Sequence, residues 1–139
     1  MKPTPLISVV INCYNGETFL KNAIDSVYSQ TYKNWEIIFW DNASTDTSAD
    51  IALSYDEKIQ YFKDVTTKPL YEARGLAVQK AKGEYLAFLD CDDWWDPYKL
   101  EKQISLFKDT KVGFVYGNYW VENETKGRKK ITSQKISSS

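Results

Sequence analysis

Apolar residues in this chain alternate between a strand rhythm and a helix rhythm. Ile7-Ser8-Val9-Val10-Ile11 is a β-branched run of strand length, and it breaks at Asn12-Cys13-Tyr14-Asn15-Gly16, a cluster of turn formers. From Thr18 onward Phe19, Leu20, Ala23, Ile24, Val27 and Tyr28 recur at helical spacing, with Lys21, Asn22, Asp25 and Ser26 facing away. Residues 35–40 read as a second strand ending at Asp41-Asn42-Ala43-Ser44-Thr45-Asp46, whose polar side chains can cap the next helix; that is the role expected of Asp46. Residues 59–62 form a short third strand, and residues 71–82 a helix stopped by Gly83 as a left-handed cap. The run Tyr85-Leu86-Ala87-Phe88-Leu89 then halts at Asp90-Cys91-Asp92-Asp93. Pro97 opens a helix over 98–107, residues 112–116 look like another strand, and 119–122 with 129–132 can form a hairpin around Lys126-Gly127.

Strands alternating with helices imply βαβ crossovers, hence a Rossmann-like, mostly parallel α/β sheet with helices on both faces. Ligands of such sheets bind beyond the carboxyl ends of the strands. Three polar clusters lie there: the loop after Ile11, the loop holding Asp41, and the acidic run after Leu89.

Composition narrows the chemistry. At 139 residues the chain is one ordinary domain, and no apolar run approaches the ~20 residues that cross a bilayer. A net charge of -1 offers no general attraction to nucleic acid, so an anionic ligand needs a local site. The two cysteines, Cys13 and Cys91, have no metal-ligand spacing and follow no secretory signal, which points to a reducing cytoplasm. There is no histidine, so a catalytic base must be Asp or Glu. Carboxylates gathered at a strand end need open solvent or a bound cation, and alternating ones suit a hard divalent ion. A solvated acidic turn is the plain alternative. The basic run Lys126, Arg128, Lys129 and Lys130 reads as a solvated turn. Asn15-Gly16 supplies no glycine-rich dinucleotide loop, and Asn12-Cys13 stands where a phosphoacceptor domain wants paired acids.

Four segments in order, Ser8 to Asn15, Asp41 to Asp46, Ala73-Arg74 and Lys82 to Asp93, closely resemble the family-two glycosyltransferases, an inverting group with the A-type nucleotide-sugar-binding fold. The resemblance implies that the first loop, with Asn12, Tyr14 and Asn15, cradles the nucleotide, Tyr14 stacking near the base. It implies that Asp41 accepts a hydrogen bond from the imide of a uridine-type base and that Arg74 lies on the nucleotide side. Asp90 and Asp92 match the DXD motif, reaching the ribose and a Mn²⁺ or Mg²⁺ ion on the diphosphate. Trp94 or Trp95 could line the sugar pocket or close the core. The sequence departs from the pattern at Asn12-Cys13, where Pro-Thr is usual, at Gly75, where Asn is frequent, and at Cys91, where many members carry Ser.

The activity so implied is metal-dependent transfer of a sugar from a UDP-type donor to a saccharide or lipid-linked acceptor in polysaccharide biosynthesis, with peripheral membrane association of the full-length protein allowed. Residues 1–118 would form the nucleotide-sugar-binding domain, 119–134 a partial hairpin beginning the acceptor half, and 135–139 a frayed tail. In the resembling enzymes the general base comes from the second half, beyond the position of Ser139. No catalytic base is therefore assigned here, and a binding module or a fragment without its base is the alternative.

Overall fold

The computed structural model describes residues 4–107, 119–123 and 127–131. Its centre is a parallel sheet in the order β3-β2-β1-β4, formed by β1 (Ile7–Cys13), β2 (Trp35–Asp41), β3 (Ile59–Lys63) and β4 (Tyr85–Asp90). The helices between them are α1 (Leu20–Tyr28), α2 (Ser48–Leu53) and α3 (Leu70–Val78), followed by α4 (Lys99–Leu106). A two-stranded antiparallel ribbon, β5 (Tyr119–Asn123) with β6 (Gly127–Ile131), matches the expected hairpin. The chain divides into two compact units, Met1–Pro97 and Tyr98–Ser139, the second carrying α4 and the ribbon. The strand expected over 112–116, the boundary expected at residue 118, and the tail over 135–139 lie outside the described residues or adjoin them.

Strands β1 and β2 are continuous apolar runs because both of their faces are covered. Val10, Ile38 and Trp40 pack against Ala73 and Ala77 of α3, whose small side chains let the helix lie close. The alternate residues Val9, Ile11, Ile37 and Phe39 face the other way and are equally buried, with α2 against β2 and β3 on that side. This alternation fixes which strand-end side chains can share a site.

Helix α3 is shorter than its periodicity suggests, ending at Val78 rather than running to residue 82. Beyond it, Lys80 and Ala81 donate to Ala77 and Val78 in tightened turns, and the chain is already docking onto the sheet. The Lys82 amide donates to Glu36 Oε1 at 2.9 Å, the Gly83 amide to Ser8 Oγ at 2.8 Å, and the Glu84 amide to Leu6 O at 2.9 Å. Gly83 is not the left-handed cap that the sequence suggests, since its φ is not positive. Its value lies in having no side chain where it passes over β1.

Positive φ occurs instead at Asn15 (49°) and Ala43 (62°). Asn tolerates that region; alanine is strained there by ~1–2 kcal/mol. Relief of that strain, less the ~0.5–1 kcal/mol of extra chain entropy a glycine loses on folding, makes Ala43→Gly slightly stabilising. Urea unfolding should show a gain of up to about 1 kcal/mol; a loss would mean that the Ala43 methyl group packs usefully.

Candidate functional site

A cleft of about 320 Å³ opens at the carboxyl edge of the sheet above β1 and β4. One wall is Asn12 of β1 with the following loop residues Tyr14, Asn15 and Gly16, continued by Thr18 and Phe19. The other is Asp90, Cys91 and Asp92. Asn12 stands opposite Asp90 in the β1–β4 register, so the parallel pairing itself brings the two walls together. The Asn12 Nδ2 group is buried without a hydrogen-bond partner among the described residues. Tyr14 is 53% exposed and presents an open ring at the cleft.

The carboxylate oxygens of Asp90, Asp92 and Asp93 lie within 4.8 Å of one another, and all three residues are exposed. Desolvation first, then the neighbouring charges of Asp92 and Asp90, pushes the Asp93 carboxyl above the ordinary carboxylate value. Three converging oxygen donors with open solvent beside them fit a hard divalent ion that keeps part of its shell for waters or phosphate. Arg74 does not line the cleft but reaches it through Asp90, at 3.6 Å, and lies over the Phe88 ring at 5.2 Å.

Asp41 is the clear departure from expectation. It is fully buried, and its carboxylate is already engaged: Oδ1 accepts from the Ser44 amide at 2.8 Å and Oδ2 from the Tyr61 hydroxyl at 2.5 Å. Strand parity explains this. Asn12 is in register with Trp40, and Asp41 with Cys13, so Asp41 points to the face opposite Asn12. It does not reach the cleft to read a base; it anchors the loop after β2. Burial and the adjoining carboxylate push the Tyr61 hydroxyl well above the ordinary tyrosine value, keeping it a donor.

That anchored loop holds the cleft wall at residues 15–17. Asn15 Oδ1 accepts from the Thr45 amide at 2.8 Å and the Asp46 amide at 3.3 Å, while the Asn15 amide donates to Ser44 Oγ at 2.9 Å. The Gly16 amide donates to Ser48 Oγ at 3.0 Å, and the Thr47 hydroxyl and amide both donate to Glu17 Oε2. Asp46 accepts from the Ser48 amide at 2.9 Å and from the Glu17 amide at 3.1 Å, but it is not the helix cap the sequence suggests, since Thr47 occupies that position and makes no side-chain cap bond. Asn42 likewise grips the loop before α3, exchanging side-chain bonds with the backbone of Lys68 in both directions.

Of the two tryptophans beside the acids, Trp95 is buried and Trp94 is 45% exposed. Thr18 and Phe19 line the cleft although the sequence offered only their helical spacing. The Cys13 and Cys91 thiols adjoin beneath the first loop, where a β-carbon added at Gly16 would lie 2.9 Å from one sulfur and 2.7 Å from the other. That contact lets Cys13 ionise below the ordinary thiol value and pushes Cys91 above it.

The family model for "Glycosyl transferase family 2" matches residues 8–138. Over 120 residues the chain is 41% identical to UDP-Glc:alpha-D-GlcNAc-diphosphoundecaprenol beta-1,3-glucosyltransferase WfaP of Escherichia coli, covering 86% of this chain and 48% of that protein. It is 38% identical to WfgD of Escherichia coli, which carries the same activity in its name, over 85% of this chain and 47% of the relative. The chain thus spans about half the length of these relatives. Among solved structures, Staphylococcus aureus TarS 1-349 in complex with UDP superposes with a TM-score of 0.69 at 25% identity, over 74% of this chain and 32% of that one.

Proposed function

The chain belongs to glycosyl transferase family 2 and has the A-type fold, and from that premise we propose that its cleft binds a UDP-type nucleotide sugar together with a divalent cation. The observation that carries the reading is the meeting, in one cleft, of an acidic wall with a wall of polar and aromatic groups. Asp90 and Asp92 hold the ion, Mn²⁺ or Mg²⁺, with Asp93 beside them. Tyr14 lies against the base, and Asn12 and Asn15 form the nucleotide side, with the Asn12 amide donating from the floor. Arg74 sets the position of Asp90. The preference for uridine rests on the relatives, since WfaP and WfgD are named for UDP-Glc and TarS was solved with UDP.

In the whole protein, the sugar passes with inversion to a saccharide or lipid-linked acceptor. The bound cation offsets the charge that develops on the departing diphosphate. Inversion is a single in-line displacement, and a carboxylate must remove the acceptor proton as the glycosidic bond breaks. None of the acids placed here takes that role: Asp90 and Asp92 serve the ion, and Asp41 is sealed in the core. The base belongs to the acceptor half of the enzyme.

Calorimetry with UDP, CDP and GDP at saturating Mn²⁺ tests the reading. UDP should bind at least about tenfold more tightly than CDP or GDP, a difference of about 1.4 kcal/mol. Equal affinities would remove the uridine assignment, and no binding of any of the three would remove the nucleotide site.

A further inference from the structure

We propose that Cys13 and Cys91 form a reversible disulfide that disables the cleft, an inference that rests on the nucleotide-and-metal reading given above. Cys13 is the last residue of β1, and Cys91 directly follows the last residue of β4. Because Asn12 stands opposite Asp90 in a parallel pairing, the next residue on each chain comes side by side. Neighbouring strands run ~4.8 Å apart, within the ~4.4–6.8 Å that separates the α-carbons of disulfides. Both thiols are free. A β-carbon added at Gly16 would lie 2.7 Å from Cys91 Sγ and 2.9 Å from Cys13 Sγ, so the two sulfurs share one small space beneath the first loop.

The chemistry needs a two-electron oxidant, here a hydroperoxide. Cys91, half-buried at the cleft, offers the sulfur that a small oxidant reaches; Cys13 is buried behind it. One sulfur of the pair, as its thiolate, attacks the peroxide, the O–O bond breaks, and the product is a sulfenic acid, the proton given up by the thiol leaving on the reduced oxygen as water or alcohol. The other sulfur then attacks the sulfenic sulfur, forming the S–S bond and breaking S–O. The hydroxyl leaves as water with the second thiol's proton. Two thiols have lost two electrons and the hydroperoxide has gained them. A dithiol reductant reverses the step by exchange.

Bonding draws the sulfurs to ~2.05 Å and fixes the torsion about the S–S bond, and because Cys13 is held in β1, Cys91 takes up that adjustment. Cys91 lies between Asp90 and Asp92. A small divalent ion demands near-ideal geometry of its oxygen ligands, so a Cys91 tied to β1 restricts how Asp90 and Asp92 on either side of it can close on an ion.

The test oxidises the purified chain with hydrogen peroxide, removes the oxidant, maps the linked peptides by mass spectrometry, and measures binding of Mn²⁺ alone and of UDP with Mn²⁺. The expected result is a Cys13–Cys91 link, at least a fivefold loss of affinity for both, and recovery with dithiothreitol. Cys13→Ser, reduced, should bind like the reduced wild type and form no linked peptide. Unlinked thiols after oxidation, or a linked chain whose Mn²⁺ affinity falls less than fivefold, overturns the proposal. A reduced chain that binds Mn²⁺ but not UDP defeats the nucleotide reading while the switch is still judged on Mn²⁺; a reduced chain that binds neither defeats both.

Discussion

Chelation of the divalent ion should lower the affinity of this chain for UDP by about 100-fold or more, equivalent to about 2.7 kcal/mol. Without the ion, the diphosphate would enter a cleft whose Asp90, Asp92 and Asp93 oxygens lie within 4.8 Å of one another. Like charges about 5 Å apart repel by ~0.8 kcal/mol per pair in bulk water and ~3 kcal/mol near a protein surface, and several pairs act together. Arg74 already faces Asp90 and is itself part-exposed, so it offsets only a fraction of that repulsion. Asp92→Ala should reproduce most of the loss in the presence of Mn²⁺. Titration calorimetry with UDP, with Mn²⁺ added or chelated, on wild type and Asp92→Ala decides the matter. Equal affinity in all four cases would take the metal out of the mechanism.

Replacing Gly83 should unfold the chain more readily than any change in the cleft. A β-carbon at this position would lie 2.6 Å from Leu6 O, 2.7 Å from Ser8 N and 2.7 Å from Ser8 Oγ. The first two are backbone atoms entering the central strand, which cannot yield without disturbing the β1–β2 and β1–β4 ladders. Overpacking of this kind costs ~1–3 kcal/mol. The displaced chain would also lose the Gly83 amide bond to Ser8 Oγ, and with it the Ser8–Glu36–Lys82 set, at ~1 kcal/mol per bond. Gly83→Val should therefore destabilise by about 3 kcal/mol in urea unfolding, and Gly83→Ala by somewhat less. A midpoint unchanged in Gly83→Val would show that the crossing relaxes freely.

The fold was legible wherever burial is two-sided or the turn chemistry is explicit. The β-branched run at residues 7–11 and the aromatic strand at 35–40 each named their element, and the strand ends converge at one edge of the sheet as expected. The misreading of α3 came from treating Gly83 as a local signal. Helical periodicity continues past Val78, but the need of residues 82–84 to bond with β1 and β2 ends the helix first. Asp41 was misplaced for a related reason. Adjacent residues at a strand end point to opposite faces, and the register with Asn12 or Cys13 that decides the face is a tertiary fact. The thiol pair was hidden likewise, since residues 13 and 91 become neighbours only through the pairing of β1 with β4. The acidic wall needed no such information, because all three carboxylates come from one short segment.

The bonds that join Asn15, Gly16 and Glu17 to residues 44–48 bear on the speed of ligand capture. Ordering a free loop costs ~1–2 kcal/mol per residue, and a ligand that must organise its own wall gives up that much affinity and waits for the right conformer. Here the wall is set when the chain folds. The nucleotide proposed for this cleft would meet a surface whose shape is already decided, so its rate of entry would be governed by diffusion and by the shedding of water from the cleft, and binding energy would stay available for the geometry at the reacting bond.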